Sequence, residues 1–574
     1  MAGDGHALGS LTEPLPRREA RMEGVMSERP APGSLTRREI LQLAGVGVTA
    51  AVCGPAPVLA QAPRRGGTLT LRAWDPPHFD PYLIIAFKTQ VVYSFTHSRL
   101  LRHKAGPGVA PGSFQLEGDL AESWSQPDDV TYVFRLRKGV RWHARPPVHG
   151  RELTADDVVY SLDRFRGLPG NPQSYLLSTV DRVEATDRYA VKVTLKEPFV
   201  WFPDVVANPM TGAIVARECV DKFGDLKKWE ATVGTGPWML DSYRPNIGMT
   251  LVRHPHYFQT GLPYVDRIEL VVDEDQASRM AAFLGKKYDI GPEGSGSINR
   301  ADWNQIKDRL QRQRPGLRTL EFPSNVRMGV SMRGDRPPFN DARVRRAVSM
   351  ALDRTDLIDA VSDGVGVLNP PGIPAALREW ALPVDQLGDS VRYYKHDPAA
   401  ARRLLAEAGH PRGFQTVIDF HNYGQTAYVE GVQLVIKALK DVGIDARLNQ
   451  KEYGALMSST ALGKYEGMIY GPSTPFLDPD SFLATAFLPE SPRNILKVND
   501  PQLTDLILRQ RRVVDVAKRR ELIHDIQRHL ARQVYRAEAY STVLMAVWDP
   551  ALKNYGPNLG FDYGGRLIAA WLDR

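Results

Sequence analysis

The residues best suited to contact a small molecule lie in the short segment Trp74-Asp75-Pro76-Pro77-His78-Phe79-Asp80. An aromatic ring, an imidazole and two carboxylates within seven residues suit a polar or cationic solute. We therefore predict that Trp74, His78 and Asp80 contact a solute. The alternative is a plain turn, because proline and aspartate favour turns for backbone reasons alone.

Motifs of catalysis and of nucleotide binding are absent from the sequence. There is no Gly-x-Ser-x-Gly elbow, no His-Glu-x-x-His zinc motif, no Cys-x-x-Cys pair and no dinucleotide fingerprint. His254-Pro-His256 offers two imidazoles without a third ligand nearby. Gly291 to Ser297 is glycine-rich but lacks the Lys-Ser/Thr ending of a phosphate-binding loop. The sequence therefore predicts no enzyme, no cofactor and no metal site.

Length and charge limit the class of protein. The 574 residues exceed what one hydrophobic core holds, so we expect two or three domains. Apolar residues make up 43% of the chain and charged residues 24%, which is typical of globular proteins rather than disordered ones. The net charge of +7 is spread widely, and no run of five Lys or Arg occurs. We expect a solvated basic surface and no nucleic-acid partner.

An export signal is predicted in the first sixty residues. Ser34-Leu-Thr-Arg37-Arg38-Glu-Ile-Leu41 is a twin-arginine pattern, and an apolar run from Ile40 to Val52 follows it. Such a run rises about 20 Å as a helix, which is less than the ~30 Å hydrocarbon core of a membrane. It is therefore a signal region and not an anchor. Val58-Leu59-Ala60 supplies small residues for cleavage before Gln61.

These features predict a freely soluble periplasmic protein that starts at Met1 or at Met26. Cys53 lies in the leader and lacks the Leu-small-small pattern that precedes a lipoprotein cysteine. Cys219 is then the single cysteine of the mature chain, so no internal disulfide is possible. No later segment approaches eighteen consecutive apolar residues, and we expect no membrane-spanning helix.

Periodic patterns predict the elements that position these residues. Apolar and polar residues alternate in three predicted strands, from Thr68 to Leu71, Thr131 to Arg137 and Ala190 to Lys196. Helical patterns follow Thr154-Ala-Asp-Asp157 (a variant of the capping box), Asn340-Asp341 and Asp397-Pro398, and extend from Val429 to Val442 and from Leu503 to about Arg536. Helix and strand alternate through residues 340–470, so this half is predicted to be α/β.

A longer block carries a family resemblance. From Asp119 to Arg166 an acidic turn, an alternating strand, Lys138-Gly139 and the capped helix follow one another. This block closely resembles a signature of the family-5 solute-binding proteins, which serve ABC importers of peptides, opines and nickel. Other segments resemble the family in the same order, namely Gly234-Thr-Gly-Pro-Trp238, Arg253-His-Pro-His-Tyr257, Pro337 to Arg345, Ala351-Leu-Asp-Arg354 and Tyr394 to Gly409.

The resemblance implies an α/β fold of the three-lobed periplasmic-binding-protein type, in which two α/β lobes are joined by a strand hinge and an extra domain is inserted. Carried onto this chain, it gives a signal region at 1–60, domain I at 61–98, 232–325 and 546–574, domain II at 99–231 and domain III at 326–545. The solute is expected between domains I and III, where hinge closure encloses it. The second hinge crossing falls near Ala546-Val547-Trp548.

The loop from Tyr470 to Asp480 resembles the family's Asp-Tyr-x-Asp-Pro-Asp-Asn-Phe loop. Peptide-binding members place an aspartate three residues before the Asp-Pro-Asp triplet, where it pairs with the terminal ammonium of the peptide. Here that position is Pro475. Losing the partner of a buried ammonium costs about 2–5 kcal/mol. Free-amine peptides are therefore disfavoured, unless Asp478 or Asp80 replaces the missing carboxylate.

Other candidates rest on their place in the implied fold. Arg333 stands near a strand end where the family usually has Asn, and it could clamp a carboxylate or phosphate, or simply face solvent. Tyr423 and Trp548 could form stacking walls or be plain packing. The complete set of predicted solute-binding residues is Trp74, His78, Asp80, Arg333, Tyr423, Tyr470, Asp478 and Trp548.

The sequence thus predicts the periplasmic receptor of an ABC importer. It is expected to be a monomer that captures a small solute and delivers it to the permease and ATPase complex at the inner membrane. An oligopeptide or related amide compound is the expected solute, with opines, modified peptides, sugars and metal chelates as alternatives. From other classes, a secreted hydrolase with paired carboxylates and a structural or chaperone-like protein stay open.

Overall fold

The computed structural model of the chain describes residues 62–113, 115–209, 211–294, 296–474 and 476–574. The predicted export signal, with Met26 and Cys53, lies outside the described residues, and so does Pro475. From Pro63 to Arg574 the chain forms one unit.

Strands and helices alternate along most of this unit. The described strands are β1 (Thr68–Ala73), β2 (Leu101–His103), β3 (Leu116–Gly118), β4 (Ala121–Asp128), β5 (Thr131–Leu136), β6 (Val180–Asp187), β7 (Ala190–Leu195), β8 (Trp238–Arg244), β9 (Gly248–Arg253), β10 (Arg267–Val272), β11 (Ser297–Ile298), β12 (Arg318–Pro323), β13 (Met328–Met332), β14 (Gly366–Val367), β15 (Phe414–Phe420), β16 (Ile444–Gln450), β17 (Met468–Pro472), β18 (Arg536–Trp548), β19 (Leu552–Lys553) and β20 (Trp571–Leu572). The described helices are α1 (Phe87–Thr96), α2 (Ala155–Gly167), α3 (Phe202–Ala207), α4 (Arg217–Phe223), α5 (Gln276–Leu284), α6 (Arg300–Gln313), α7 (Ala342–Ala351), α8 (Arg354–Ser362), α9 (Pro398–Glu407), α10 (Thr426–Asp441), α11 (Tyr453–Ser458), α12 (Pro479–Phe487), α13 (Pro501–Arg512), α14 (Val516–Gln533) and α15 (Tyr563–Leu567). Short 3-10 turns occupy Ser174–Leu177, Trp229–Ala231, Val384–Gln386, Gly388–Tyr394 and Thr460–Leu462.

A first sheet has the order β1-β10-β9-β8. β1 pairs with β10 in parallel, and the other pairs are antiparallel. Leu69 pairs with Ile268 and Leu71 with Leu270, and all four side chains are buried. Because alternate side chains of a strand share one face, the predicted alternation after Gly67 supplies the inner face of this sheet.

A second, antiparallel sheet has the order β4-β5-β7-β6 and contains the two other predicted strands, which are confirmed. Phe134 and Val191 are paired across it and are buried in a core shared with helix α2. The same core continues into Leu483, Ile507 and other side chains of helices α12 to α14. The segment predicted as an inserted domain therefore packs against helices from much later in the chain.

A third, mixed sheet has the order β11-β18-β13-β17-β15-β16, and β12 and β14 also pair with β18. β15 runs parallel to β16 and β17, and α10 connects β15 to β16 as the α/β pattern predicts. The long strand β18 is antiparallel to β13 along its first half and to β12 along its second half. The chain therefore passes along this sheet twice, once through β12 and β13 and once in the opposite direction through β18. These two crossings connect distant parts of the structure.

Capping side chains explain where several helices begin. The Asp157 carboxylate accepts a hydrogen bond from the Thr154 amide at 2.9 Å, as the capping-box pattern predicts. The Asp397 carboxylate accepts one from the Ala400 amide at 2.8 Å. The single long helical stretch predicted from Leu503 is wrong, because α13 and α14 are separate helices. Asp515 caps α14 by accepting from the Lys518 amide at 2.8 Å, which starts a new helix.

The Gly-Thr-Gly-Pro-Trp turn passes close to the end of helix α1. The Gly236 amide donates to the Thr96 carbonyl oxygen at 2.9 Å. A Cβ atom at Gly236 would lie 2.5 Å from the Thr96 carbonyl carbon and 2.6 Å from the Phe95 carbonyl oxygen. Two backbone segments meet here at a distance that only glycine permits.

We expect the substitution Gly236→Ala to lower the free energy of unfolding by about 1–3 kcal/mol, because the added methyl group forces the α1 backbone away. Thermal or urea unfolding of the mature protein measures this change. Gly167→Ala is the matched control, since a Cβ at Gly167 meets nothing within 4 Å. The control should be neutral or more stable by up to about 1 kcal/mol. Equal destabilisation by both variants would contradict the close-approach explanation.

Candidate functional site

A cavity of about 380 Å³, called the cleft below, is lined by residues that follow β1, by helix α1 and by strands of the mixed sheet. The contributing positions in the mixed sheet are Met328 and Ser331 of β13, Ile469 to Pro472 of β17, and Arg536, Tyr540 and Thr542 to Leu544 of β18. Ligand-binding cavities commonly have volumes of about 300–1,000 Å³. The cleft therefore has room for a small solute.

Aromatic rings form much of the cleft wall. Phe87 contacts Trp74 edge-on at 4.8 Å between ring centroids and stacks on Phe561 at 4.7 Å. Tyr453 continues this wall, 6.3 Å from Phe87 and 6.0 Å from Tyr423. All five rings line the cleft. Such a wall suits apolar groups and flat amide groups.

Trp74 is held in place from both sides. The guanidinium of Arg72 lies 4.4 Å from the centroid of its ring. Gly294 packs against the ring so closely that a Cβ atom there would overlap it. Gly294, in the glycine-rich stretch noted in the sequence, therefore has a packing role, and Trp74 has little freedom to move.

Tyr423 and Tyr470 supply hydroxyl groups to the cleft. Burial raises the pKa of Tyr470 to about 12, and its hydroxyl lies 3.3 Å from that of Tyr540. Tyr423 adopts a φ of +51°, which is unusual for a bulky residue and is often found at binding sites. Burial raises the pKa of Tyr423 as well, so both phenols stay protonated at neutral pH and can donate hydrogen bonds to a solute.

Most charged groups at the cleft have charged partners. Glu293 lies 3.0 Å from Arg279, and Arg300 lies 2.7 Å from Glu321. Arg327 forms a buried ion pair with Glu538. In each pair the two opposite charges cancel, and the ion pair fixes both side chains at the edge of the cleft.

Arg493 and Arg536 differ from these pairs. Arg536 shares Glu538 at 3.4 Å and donates mainly to the Ser331 hydroxyl, 3.0 Å away, and to backbone carbonyls. Arg493 donates to the Thr474 hydroxyl and has no carboxylate partner within the part of the chain that the structure describes. The cleft is therefore richer in positive than in negative charge.

Three of the predicted solute-binding residues line the cleft, namely Trp74, Tyr423 and Tyr470. The structure brings them together although they are almost 400 positions apart. The other five do not line it, and each has partners within the protein. Solute contact by the three remains a prediction.

His78 and Asp80 form a structural turn. The buried Asp80 carboxylate accepts from Arg164 at 2.8 Å and from the Leu226 amide at 3.1 Å. The His78 Nδ1 atom accepts from the Asp80 amide at 3.1 Å, and burial lowers the pKa of this histidine. These bonds join the segment after β1 to helix α2. The Asp80 carboxylate is therefore not available to a solute.

Arg333 and Trp548 also have structural partners. Arg333 makes a two-pronged ion pair with Asp335 at 2.7 Å and donates to the carbonyls of Gly463 and Tyr465. Trp548, at the end of β18, packs its ring 5.3 Å from that of Tyr555. Neither is positioned at the cleft.

Asp478 is the N-cap of helix α12. Its carboxylate accepts from the amide and from the hydroxyl of Ser481, each at 2.7 Å. Burial, together with the neighbouring carboxylates of Asp204 and Asp480, raises its pKa to about 7. The predicted replacement of the family aspartate by Asp478 or Asp80 therefore lacks a geometric basis, since both carboxylates are occupied elsewhere.

Several cleft residues escape detection in the sequence. Phe87, Tyr453, Phe561, Arg493 and Arg536 belong to different elements and have no fixed spacing. Arg493 lies in a Ser-Pro-Arg-Asn segment without a motif. Tyr428 gives the best available signal, because it lies five residues after Tyr423 in an aromatic segment.

The described residues lack the features of a metal site and of a membrane-spanning helix. They contain no group of three or more His, Cys, Asp or Glu side chains that could hold a metal ion. The His254 Nε2 atom donates to the Arg141 carbonyl oxygen, 3.1 Å away, and the ring packs against His143. Within the same residues, every helix is too short or too polar to cross a bilayer. Cys219 is buried and unpaired, and burial raises its pKa to about 12.

Comparison with known proteins points to one family. Residues 115–493 match the family described as bacterial extracellular solute-binding proteins, family 5. Di/tripeptide-binding protein 2 of Pseudomonas aeruginosa is 28% identical over 473 residues, which cover 77% of this chain and 84% of that protein.

Solved structures share the fold at low identity. The periplasmic binding protein DppA of Helicobacter pylori, in complex with the peptide STSA, superposes with a TM-score of 0.76 at 22% identity, over 89% of this chain and 99% of that one. The binding protein AgaA of A. tumefaciens R10, in complex with agropinic acid, superposes with a TM-score of 0.75 at 22% identity, over 88% and 99%. The predicted α/β fold of the periplasmic-binding-protein type is confirmed.

We expect the variant Asp478→Asn to change how stability depends on pH. The pKa of Asp478 is about 7 in the folded protein and 3.8 in the unfolded chain, so the folded state holds this proton more tightly. Its contribution is therefore complete below about pH 4 and is lost as pH rises to 7, by as much as about 4 kcal/mol. Asparagine keeps the cap but does not ionise.

Thermal unfolding of both proteins between pH 4 and pH 8 measures this difference. The variant should gain stability relative to the natural protein as pH rises. Parallel curves for the two proteins would show that Asp478 does not titrate in this range.

Proposed function

Since the chain belongs to family 5 of the bacterial extracellular solute-binding proteins, we propose that it is the periplasmic receptor of an ABC importer for a short peptide or a related amide compound. The observation that carries this proposal is the cleft. It has a volume of about 380 Å³, aromatic walls and hydroxyl groups. Binding in such a cavity excludes water from the solute, which strengthens every polar contact inside.

The domain boundaries belong to this proposal. Domain I takes residues 61–98, 232–325 and 546–574, domain II takes 99–231, and domain III takes 326–545. The antiparallel crossings β12–β13 and β18 support a strand hinge between domains I and III, because they pass from one to the other near these boundaries. Trp74 and Tyr470 then lie on opposite sides of the hinge and both line the cleft.

The class of solute rests on the relatives. The Pseudomonas relative is named for di- and tripeptides, and the Helicobacter structure contains a peptide. An opine is the second candidate, because the Agrobacterium structure contains agropinic acid. Aromatic rings and phenol hydroxyls, such as those of Phe87 and Tyr423, serve both classes.

Delivery requires partners outside the chain. The receptor acts as a monomer that docks on the permease and ATPase complex at the inner membrane and performs no chemistry itself. The twin-arginine pattern at Ser34 to Leu41 supports export to the periplasm, followed by cleavage before Gln61.

The cleft proposal predicts that filling the cavity abolishes solute capture. A Cβ atom at Gly471 meets nothing within 4 Å, and Gly471 lines the cleft, so Gly471→Phe would place its ring in the cavity. Native mass spectrometry of protein purified from the periplasm should show a bound small molecule for the natural protein and none for this variant. Gly167→Phe, whose side chain also meets open space, is the matched control and should retain the molecule.

Adding the identified compound back supplies a second readout. At 100 times its Kd it should stabilise the natural protein by about 2.7 kcal/mol and leave Gly471→Phe unchanged. Conversion of the compound into a product would contradict the receptor function and favour the hydrolase alternative. A protein that neither copurifies with nor is stabilised by any small molecule would favour a chaperone-like role.

Export is tested by the double substitution Arg37→Lys and Arg38→Lys. Because the twin-arginine route reads this pair directly, the uncleaved precursor should accumulate in the cytoplasm. Cell fractionation with an antibody against the mature protein measures the distribution. Substitution of Arg17 and Arg18 by Lys, in the region before Met26, is the control and should leave export intact. Normal secretion of the Arg37/Arg38 variant would contradict the proposed route.

A further inference from the structure

The charged groups around the cleft indicate what its solute carries. In the described part of its lining, the ionised side chains are four guanidinium groups and one carboxylate, those of Arg300, Arg327, Arg493, Arg536 and Glu293. The partners of each group decide which of them remain available to a solute.

Two of these groups are neutralised by a single partner each. Arg300 pairs with Glu321 at 2.7 Å, and Glu293 pairs with Arg279 at 3.0 Å. Glu293 is also anchored by its own amide, which donates to the Ser297 carbonyl at 3.0 Å. The one carboxylate of the described lining is therefore already committed to a buried guanidinium.

Two further guanidinium groups share one carboxylate. Arg327 pairs with Glu538, and Arg536 reaches the same carboxylate at 3.4 Å. Arg536 otherwise donates to neutral groups, including the Gly471 carbonyl at 2.9 Å. Together, Arg327, Arg536 and Glu538 therefore carry one net positive charge at the cleft.

Arg493 has no carboxylate partner among the described residues. Its Nη2 atom donates to the Thr474 hydroxyl at 2.5 Å. Nε and Nη1 are shielded from solvent and make no hydrogen bond of normal geometry, although the Tyr175 phenol interacts with the guanidinium. The residue is held by its backbone, since its amide donates to the Ser491 hydroxyl and its carbonyl accepts from the Ile495 amide. The guanidinium is therefore fixed at the cleft and incompletely satisfied.

Arg493 is only half-buried as a residue, but two of its guanidinium nitrogens are shielded from solvent, and a shielded guanidinium without a counter-charge is costly for the protein. Burial lowers the pKa of Arg493. The groups that oppose this shift are the Tyr175 phenol, through its charge and a side-chain hydrogen bond, and the Tyr453 phenol; no carboxylate of the described residues contributes. A solute anion would supply the missing counter-charge, and guanidinium groups bind carboxylates through two parallel hydrogen bonds.

We propose that Arg493 anchors a carboxylate of the solute and that the solute carries no free ammonium group, as in an N-acylated amino acid or N-blocked peptide. This inference rests on the proposed receptor function and names the solute class for the same cleft. An ammonium group in this cavity would lie among excess guanidinium charge and would find no uncommitted carboxylate in the described lining. An amide nitrogen carries no charge, so the guanidinium groups do not repel it and it needs no carboxylate partner.

The apolar part of such a solute fits the remaining wall. Trp74, Phe87, Tyr453 and Phe561 form a contiguous aromatic surface that would bury an acyl group. The Tyr423 hydroxyl, which stays protonated, can donate to an amide carbonyl. An anionic group at one end and an apolar group at the other therefore match the two kinds of surface that the cleft offers.

A library of dipeptides, the same library after acetylation of its amines, and the acetylated library with amidated carboxyl ends test the two parts of the proposal. Each is incubated with the mature protein, and bound species are counted by native mass spectrometry. Acetylated acids should be retained at least about 10-fold more than free-amine dipeptides. Acetylated amides should be lost to at least the same degree, because they cannot pair with Arg493.

Variants separate the role of Arg493 from a general effect on folding. For the best-retained acetylated acid, Arg493→Gln should raise Kd by about 30-fold or more, and Arg493→Lys should have a smaller effect because it keeps the charge. Arg336→Gln, at an exposed position outside the cleft, is the matched control and should leave Kd unchanged. Circular dichroism and melting temperature show whether each variant is folded.

The outcomes distinguish this inference from the proposed function. If free-amine dipeptides are retained better than acetylated ones, the inference fails while the receptor function is supported. If Arg493→Gln folds and binds the acetylated acid as tightly as the natural protein, the anchoring role fails. If none of the libraries is retained, the inference fails, and the solute found in the periplasmic extract then decides whether the receptor function stands.

Discussion

The pairing of one long strand with two others is the constraint on which the cleft depends. β18 has 13 residues and extends about 43 Å at 3.3 Å per residue, so it passes along both β13 and β12. Between these two partners the chain from Ser324 to Arg327 leaves the regular ladder, and all four of its residues line the cleft. The same short segment therefore connects the two ladders and forms part of the cleft. Any bend at this point changes the shape of the cleft directly, which is what a solute-dependent hinge requires.

The cost of burying charge is the second constraint. It distinguishes charged side chains that are held by partners within the protein from those that can contact a solute. Arg164 with Asp80 and Arg511 with Asp480 are buried pairs whose carboxylates also accept further hydrogen bonds. Breaking such a pair leaves an uncompensated charge at a cost of about 3–5 kcal/mol, so these side chains cannot turn to a solute. Arg493 is different because no carboxylate among the described residues holds it. The residues free to recognise a solute are thus the ones that the fold itself leaves incompletely paired.

The sequence predicted local features well because they depend on neighbouring residues. The alternation from Thr68 to Leu71, the cap at Asp397 and the α/β pattern after Asn340 all appear in the structure. The sequence pattern does not predict the break before Val516, because an apolar periodicity continues through it. The preceding helix ends at Arg512, and Asp515 caps the start of the next helix.

Site residues were harder to predict, since a binding cleft is assembled by tertiary contacts. Trp74, Tyr423 and Tyr470 line it, whereas Asp80 and Arg333, chosen for the same chemistry, were already paired with Arg164 and Asp335. No spacing rule distinguishes a free carboxylate from an occupied one. The partner of Asp80 lies 84 residues away in sequence, and that of Glu538 lies 211 residues away. Only the folded structure shows which charged side chains are not held by a partner.

Two sets of contacts between distant segments differ in strength, and this difference indicates where movement is easiest. At the edge of the cleft, Arg279 donates to the Gly424 carbonyl at 3.3 Å and the Thr426 hydroxyl donates to Gln276 at 3.1 Å. The Thr426 bond contributes about 1 kcal/mol, and the bond from the charged Arg279 about 1.5–3 kcal/mol. Between the proposed domain II and helices α12 and α13, by contrast, Trp201 donates to Gln510 at 2.9 Å and Tyr175 bonds Thr485 at 2.6 Å within a continuous apolar core.

Separating the contacts around Trp201 and Tyr175 would expose aromatic surface, at a cost of about 25 cal/mol per Å². The bonds at Gly424 and Gln276 can instead be replaced by bonds to water at little cost. A ligand shifts an equilibrium only by its differential affinity for the two states. A solute that contributes a few kcal/mol can therefore control the Gln276 and Thr426 edge but not the core around Trp201. In the proposed receptor, opening and closing would then occur by bending near Ser324 to Arg327. The proposed domain II and helices α12 to α14 would move together, because dividing their shared core is too costly.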